Sequence, residues 1–205
     1  MKRNTRTTWP SLASIEQAGL SERPGLAALA YHPVTAIDAR TIDALKAQRS
    51  LIIRLVVRRP LRSQDLCALK LHQNLWCANG RWTIEFRTAE REWGQLRAQA
   101  DVYQLSFPSD LAEQLEEFID IWRPWLPGQH RPELLTTRTG RPFDTLTLNR
   151  EIAKAFHQRP PWSISLPHLR HIWASEFLTS TRNFPVAAAL LDDTIETVMR
   201  RYGRA

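Results

Sequence analysis

The fold class is decided by two short stretches of the chain, WTIEF at residues 82–86 and VYQLSF at residues 102–107. In both stretches apolar and polar residues alternate, which is the pattern of a strand with one buried face. The Asn79-Gly80 pair before the first stretch is a hairpin-turn signal, and the polar residues 87–101 predict a long loop between the strands. This is the one strand-like region of the sequence, so we expect a single small antiparallel sheet.

On both sides of these strands the apolar residues recur at helical spacing. On the N-terminal side a helix is expected to start between Thr35 and Asp38, to bury a face through residues 51–56, and to stop at Pro60. On the C-terminal side the predicted helices cover residues 110–122, 148–156, 168–178, 186–191 and 195–202. Helices before and after one small antiparallel sheet indicate a mostly α, α+β fold.

The N-terminal segment differs in composition from the rest of the chain. Residues 1–30 mix arginine, threonine, serine and proline, with Pro10 and Pro24 as helix breakers. They predict an N-terminal arm, flexible and with a short helix around residues 14–19, and residues 31–205 then form one folded domain. A terminus without a function is an equally good explanation of this composition.

The charge of the chain points to a polyanionic partner. Lysine and arginine total 28 against 21 acidic residues, for a net charge of +7 and an isoelectric point near 10.1, and only four of the 28 are lysines. The planar guanidinium forms paired hydrogen bonds with phosphate, so double-stranded DNA is the expected partner. A GC-rich coding sequence would also favour arginine over lysine and is the alternative explanation of that bias.

Several protein classes lack their sequence signatures here. The longest apolar stretch, residues 51–57, is interrupted by Arg54, so we expect no membrane association. There is no glycine-rich phosphate loop, and hence no expected nucleotide site. Two cysteines, Cys67 and Cys77, make neither a disulfide framework nor a zinc ribbon. We therefore expect a cytoplasmic protein without metal or cofactor.

Five segments follow one another in a fixed order between residues 32 and 202. They are PLRSQDLCAL at 60–69, LSFP at 105–108, TRTGRP at 137–142, LRHIWAS at 169–175, and the segment from Leu190 to Tyr202. In this order they resemble the catalytic domain of the tyrosine recombinases, or phage integrases. The matching features are a first arginine box, the end of a small sheet, the loop ahead of the second arginine box, that box, and a closing motif that ends on the nucleophilic tyrosine.

The resemblance implies cleavage and rejoining of a DNA strand through a phosphotyrosine, in a mobile element or a DNA inversion system. Arg62 and Arg170 would hold the non-bridging oxygens of the phosphate, whose charge grows in the transition state. Tyr202 would attack phosphorus. His171 matches the family's second histidine, a hydrogen-bonding support, and His168 is the candidate for the first. The phosphotyrosine conserves the bond energy, so neither ATP nor a metal is implied, and further protomers on the DNA are expected partners.

The second arginine box and the closing motif depart from the family pattern. Pro167 stands where many members have a histidine three residues before the arginine, and the adjacent His168 is turned by about 100° on a helix. Asp192 stands ten residues before Tyr202, where histidine or tryptophan is expected, and a carboxylate there would repel a phosphate. These differences predict a degenerate site.

The sheet lacks the lysine that the family uses to protonate the leaving hydroxyl. The four lysines are Lys2, Lys46, Lys70 and Lys154, and none lies between residues 82 and 107. Arg87 and Arg91 are near the expected position, but arginine is a poor proton donor at neutral pH. Loss of a general acid costs about 10²–10⁴ in rate.

Three functions therefore remain open: an active recombinase, a catalytically impaired regulator or accessory subunit that binds DNA with the same fold, and a helical protein–protein module. The last would use exposed tryptophans, although Trp76, Trp82, Trp122 and Trp173 would equally well fill a core. Each site residue also has an ordinary explanation: a surface salt bridge for Arg62, a helix-surface position for Arg170, a core tyrosine for Tyr202 and a helix cap for His168. The candidate DNA contacts are Arg58, Arg59, Arg87, Arg91, Arg138 and Arg141.

Overall fold

The computed structural model of the protein describes residues 9–27, 37–87, 102–157 and 164–203. Its α-helices are α1 (Leu12–Glu22), α2 (Ile37–Arg58), α3 (Ser63–Cys67), α4 (Ser109–Glu117), α5 (Thr145–His157), α6 (Leu166–Thr181), α7 (Phe184–Leu191) and α8 (Ile195–Tyr202). Its strands are β1 (Leu75–Ala78), β2 (Arg81–Arg87) and β3 (Val102–Ser106). Helices surround one antiparallel sheet, which confirms the mostly α, α+β prediction.

The sheet has three strands in the order β1-β2-β3. Strands β2 and β3 are the two predicted ones, and Ile84 pairs with Leu105 at their centre. Strand β1 was missed by the sequence analysis because it is only four residues long and buries only its first residue, Leu75. The Asn79-Gly80 turn joins β1 to β2 with both residues at positive φ, as a two-residue hairpin requires. Most of the predicted long loop, residues 88–101, lies outside the described residues.

Helix α2 forms the centre of the hydrophobic core. Residues 51–57 are all buried on it, and the helix ends two residues before Pro60, as the sequence predicts. Helix α1 packs against α2, with Ile15 fully buried and Gly19 so close to Ile53 that a Cβ would crowd it. The short helix expected in the N-terminal arm is therefore part of α1 and contributes to the core. The division of the chain near residue 30 stays a prediction.

Arg54, the charged residue inside the apolar run of α2, is buried in a polar network. Its guanidinium donates hydrogen bonds to Gln114 (2.8 Å), Glu16 (3.2 Å) and Asp110 (2.5 Å). Only 6% of its side chain is exposed. A buried guanidinium is tolerated where its charge is paired and its N–H groups are bonded, so this network joins α1, α2 and α4.

The helix predicted for residues 110–122 is shorter than expected. Helix α4 ends at Glu117, and the chain continues as one π-helical turn (Phe118–Trp122) and one 3₁₀ turn (Arg123–Trp125). The apolar periodicity holds throughout, since Phe118 and Trp122 are both about 1% exposed. Burial of these two large rings against the core sets the path of the backbone, and spacing alone does not reveal the change of helix type.

Helices α6, α7 and α8 share a second hydrophobic cluster. It contains Trp173, Ala174, Leu178, Ala187, Ala188, Leu191 and Val198, with Tyr202 packed against it. This cluster fixes the two C-terminal helices on α6. Trp82, Trp122 and Trp173 are buried, so these three tryptophans fill the core instead of forming a surface. No helix in the described ranges is long and apolar enough to cross a membrane.

Candidate active site

Arg62 lies at the N-terminus of α3, directly after the break that Pro60 imposes on α2. Its backbone is extended (φ −77°, ψ 155°), and it is the residue that precedes the first turn of α3. Its Nη2 donates a hydrogen bond to the carbonyl oxygen of Asp192, at 2.5 Å. The first arginine of the predicted pair is therefore in contact with the C-terminal end of α7.

Arg170, the second predicted arginine, joins two distant parts of the chain. It lies on α6 and donates through Nη1 to the carbonyl of Pro60 and through Nη2 to the carbonyl of Leu191. The guanidinium of Arg170 thus bridges the α2–α3 connection and the C-terminus of α7. Because Arg62 binds the next carbonyl along, the structure brings both arginines to the same short segment.

A third donor binds the same segment. The hydroxyl of Tyr103, on β3, donates to the carbonyl of Leu190 at 3.0 Å. Tyr103, Arg170 and Arg62 therefore hold three consecutive carbonyls, those of residues 190, 191 and 192. The last carbonyls of a helix lack partners within the helix and carry a partial negative charge. Three strong donors that converge on a helix C-terminus form a site suited to an anion.

Asp192 occupies the position where the family has histidine or tryptophan. It ends α7 in the left-handed conformation (φ 46°) and is 6% exposed. Aspartate is one of the few non-glycine residues that tolerate this conformation. The acceptor for Arg62 is the backbone carbonyl of Asp192, so this contact does not depend on the aspartate side chain.

The charges around Arg170 are partly balanced. Burial lowers the pKa of Arg170, and Tyr103, Asp193 and Asp65 act in the opposite direction. Asp65 follows Arg62 by three residues and is 8% exposed. Arg62 and Arg170 are both partly buried, and each keeps its own positive charge beside these carboxylates because a guanidinium stays protonated at neutral pH.

Tyr202 is half-buried at the end of α8, close to the other predicted site residues. Its ring centroid lies 5.2 Å from that of His171. Burial raises the pKa of Tyr202, while Arg170 and Arg201 lower it. The hydroxyl is therefore protonated at neutral pH, and Arg170 is near enough to stabilise the phenolate as the proton leaves. Arg62, Arg170, His171 and Tyr202 are thus brought together.

His168 lies at the start of α6 and acts as a helix cap. Its Nδ1 lies 3.1 Å from the hydroxyl and 3.3 Å from the backbone N–H of Ser165, the residue that caps the helix. Its ring lies 4.8 Å from that of Trp9. Pro167 precedes it in the first turn, where a missing N–H costs nothing. The structure therefore gives His168 cap and ring contacts, and a catalytic role for it stays a prediction.

The candidate DNA contacts Arg58 and Arg59 already have partners within the protein. Arg58 forms ion pairs with Glu16 at 2.8 Å and with Asp110 at 2.9 Å. Arg59 donates twice to the carbonyl of Ser106, at 3.0 and 2.8 Å. To bind a phosphate, either guanidinium would have to exchange these contacts.

Arg138 and Arg141 are exposed on one tight turn. The turn is closed by a hydrogen bond from Thr137 N–H to the carbonyl of Arg141 (2.8 Å). Gly140 in this turn has φ +77°, and a Cβ there would strike the backbone of residues 127 and 128, so glycine is required. Arg138 also lines a groove of about 690 Å³ between α2 and α5. The side chain of Arg87, and all of Arg91, lie outside the described residues.

Sequence reasoning missed Tyr103 as a member of the site. The alternation of β3 did place it on the same face as Leu105, which is 7% exposed and belongs to the core. That face indicates burial but does not reveal that α7 ends above the sheet. In the part of the chain that the structure describes, no group of three histidine, cysteine or acidic residues is arranged to hold a metal.

The two cysteines differ sharply in environment, which gives a direct test of the α3 packing. Burial raises the pKa of the Cys67 thiol to about 12, with Asp144 acting in the same direction, whereas Cys77 is exposed. A thiol reacts as its thiolate. At pH 8 a disulfide reagent should therefore modify one thiol per chain quickly, and Cys77→Ser should abolish this fast phase. A fast phase that survives in Cys77→Ser would contradict the packing of Cys67.

Solved structures of two recombinases match most of the chain. XerH site-specific recombinase bound to its difH substrate, in a pre-cleavage complex, matches 93% of this chain and 48% of its own length, at 17% identity and a TM-score of 0.61. The post-cleavage complex of XerH with a palindromic difH substrate gives a TM-score of 0.60 over the same shares. XerA recombinase matches 83% of this chain and 59% of its own, at 15% identity and a TM-score of 0.58.

The fold is that of a tyrosine-recombinase catalytic domain. The chain spans about half the length of the XerH chain that it matches. No family model matches the sequence, and no curated protein does. The order of the sequence motifs predicted this fold, and the structural comparison confirms it. The comparisons of sequence found no match.

Proposed function

We propose that this protein binds duplex DNA and breaks and rejoins one strand through a covalent phosphotyrosine at Tyr202. The observation that carries the proposal is the convergence of Arg62 and Arg170 on adjacent carbonyls, with Tyr202 close enough to Arg170 to interact electrostatically. The solved neighbours XerH and XerA are recombinases, and XerH is bound to its DNA substrate.

The two guanidiniums would exchange their carbonyl partners for the non-bridging oxygens of the scissile phosphate. A phosphate carries a full negative charge where a helix C-terminus carries about half of one, and two of its oxygens can accept a pair of parallel hydrogen bonds from one planar guanidinium. The exchange requires that residues 190–192 move away from the arginines. This step couples the binding of DNA to a movement of the chain near Tyr202, because residues 192–194 connect α7 to α8, the helix that ends on Tyr202.

The second candidate function is that of a DNA-binding regulator or accessory subunit without strand cleavage. It is favoured by Asp192 and Pro167, which replace two expected donors to the phosphate, and by the contacts that already occupy Arg62 and Arg170. Both functions require the same fold and the same duplex partner. They differ in whether Tyr202 ever becomes attached to DNA.

A trapping experiment separates the two functions. Duplexes that the protein binds are first enriched from a random pool by mobility shift. Each is then prepared with a nick near the cleavage position, so that the short fragment released by cleavage diffuses away and the covalent complex accumulates. The products are analysed on a denaturing gel. The recombinase predicts a covalent band that Tyr202→Phe abolishes while the mobility shift is retained. A mobility shift without a covalent band would establish the regulator, and the absence of both would refute DNA binding.

The turn that carries Arg138 and Arg141 is expected to contribute to DNA affinity. A plot of log affinity against log salt concentration has a negative slope, and each phosphate contact removed makes that slope less steep by about 0.9. We therefore expect Arg138→Ala with Arg141→Ala to make the slope less steep by about 2 in salt titrations. Arg58→Ala should change it less, because Arg58 must first release Glu16 and Asp110. An unchanged slope in the double variant would remove this turn from the interface.

The wider context remains part of the proposal. A mobile element or inversion system, a cytoplasmic location and further protomers on the DNA follow from the family resemblance. Residues 1–30 would then serve as an N-terminal arm that α1 holds against the domain of residues 31–205.

A further inference from the structure

Tyr103 is placed where a second tyrosine hydroxyl can act on the same phosphate. Its hydroxyl donates to the carbonyl of Leu190 at 3.0 Å, while Arg170 binds the carbonyl of Leu191 and Arg62 that of Asp192. If a phosphate replaces these carbonyls, it meets three donors and not two. The third donor differs from the arginines because a phenol can give up its proton.

Two guanidiniums lie near the Tyr103 hydroxyl and would stabilise its anion. Burial lowers the pKa of Arg170 and of Arg59, and in each case Tyr103 is the group that most strongly opposes this effect. Arg59 is fixed beside β3 by its two hydrogen bonds to the carbonyl of Ser106. A phenolate at residue 103 would thus face two positive charges held in place by the fold.

The chemistry of strand cleavage needs such a proton donor. The oxygen that leaves phosphorus would depart as an alkoxide, a base about as strong as hydroxide, unless a donor protonates it. A phenol, with an ordinary pKa of about 10, is a much stronger acid. The sequence has no lysine between residues 82 and 107, and an arginine does not release its proton at neutral pH.

We propose that Tyr103 donates its hydroxyl proton to the leaving oxygen when Tyr202 attacks, a role that rests on the strand cleavage proposed above. The Tyr202 oxygen forms a bond to phosphorus and its proton passes to water. The bond from phosphorus to the leaving oxygen breaks, and that oxygen takes the proton of Tyr103. The Tyr103 phenolate then lies between Arg170 and Arg59. In rejoining, the phenolate takes the proton back from the attacking hydroxyl, and Tyr202 leaves and regains a proton from water.

A sulfur substitution in the DNA tests this role directly. In a duplex where sulfur replaces the leaving oxygen, the departing thiolate needs no proton, because a thiol has a pKa near 8.5. The duplex is the one enriched from the random pool, prepared with oxygen or with sulfur as the leaving atom of the phosphate to which the adduct maps. We compare the wild type, Tyr103→Phe, which keeps the ring, and Thr194→Ala. Thr194 caps α8 through Thr197, so its loss disturbs the position of Tyr202 without removing a proton donor.

The expected result is a change that depends on the leaving atom. Tyr103→Phe should form adduct about 10³-fold more slowly than the wild type on the oxygen duplex, and within tenfold of the wild-type rate on the sulfur duplex. Thr194→Ala should be slowed by the same factor on both. A melting-temperature measurement on each variant verifies that it is folded.

Four outcomes would overturn the proposal. Equal rates for Tyr103→Phe and the wild type on the oxygen duplex would show that the hydroxyl is not used. Equal slowing on both duplexes would make Tyr103 an anchor for α7 only. A wild type that cleaves only the sulfur duplex would lack a proton donor altogether. In these three cases an adduct at Tyr202 survives and the proposed function stands, whereas no wild-type adduct on either duplex refutes both.

Discussion

Arg170→Lys is expected to slow adduct formation by about 10³-fold while the protein stays folded. Lysine keeps the positive charge but lacks the planar fork, so one ammonium cannot replace the two N–H groups that now reach Pro60 and Leu191. Removal of one donor from a preorganised transition-state site costs about 10²–10³ in rate, and here the paired geometry is lost as well. The measurement is the single-turnover rate of covalent band formation on the nicked duplex.

Arg182→Lys is the matched control for this prediction. Arg182 is exposed at the C-terminal end of the same helix, and we expect its replacement to change the rate less than twofold. Comparable rates for Arg170→Lys and the wild type would mean that the Arg170 fork does not hold the phosphate. That result would leave Arg170 as a structural link between the α2–α3 connection and α7.

Arg54→Met is expected to lower the free energy of unfolding by about 3 kcal/mol. Methionine fills most of the space but leaves Gln114, Glu16 and Asp110 without the buried guanidinium that now binds all three. Removal of one partner from a buried charged network costs about 3–5 kcal/mol. The lower end applies because Asp110 is 44% exposed and can be hydrated. The measurement is equilibrium unfolding in urea.

Arg58→Met separates burial from charge in this network. Arg58 binds the same two carboxylates as Arg54, but 40% of its side chain is exposed. Exposed ion pairs contribute about 0–1 kcal/mol, so this variant should lose less than about 1 kcal/mol. Equal losses for Arg54→Met and Arg58→Met would contradict the burial of Arg54 as the cause.

The elements that the sequence predicts well are those with long periodic patterns. Alternation at residues 82–86 and 102–107 identified β2 and β3, and helical spacing identified α5, α6 and α8. Strand β1 was not predicted because four residues with only one buried position show no alternation of apolar and polar residues. The change from an α-helix to a π-helical turn after Glu117 was not predicted, because over a single turn the spacing of the apolar residues does not distinguish the two helix types.

The sequence motifs predicted which residues of the candidate site lie together, but they did not predict the contacts between residues far apart in the chain. Arg62, Arg170 and Tyr202 belong to short motifs in a recognisable order, and the fold brings them together. The role of the α7 C-terminus depends on contacts between residues far apart in sequence, such as Tyr103 with Leu190 and Arg62 with Asp192. No local pattern encodes which carbonyl an arginine will bind.

The central claim is that Tyr202 becomes covalently attached to DNA, and mapping of the attachment site tests it most directly. Trypsin cuts after Arg201 and after Arg204, so Tyr202 is released in the three-residue peptide Tyr-Gly-Arg. After nuclease digestion of a trapped complex, mass spectrometry should find this peptide with the mass of one phosphonucleotide added. An adduct on any other residue, or an unmodified peptide from a complex that binds duplex, would contradict the account.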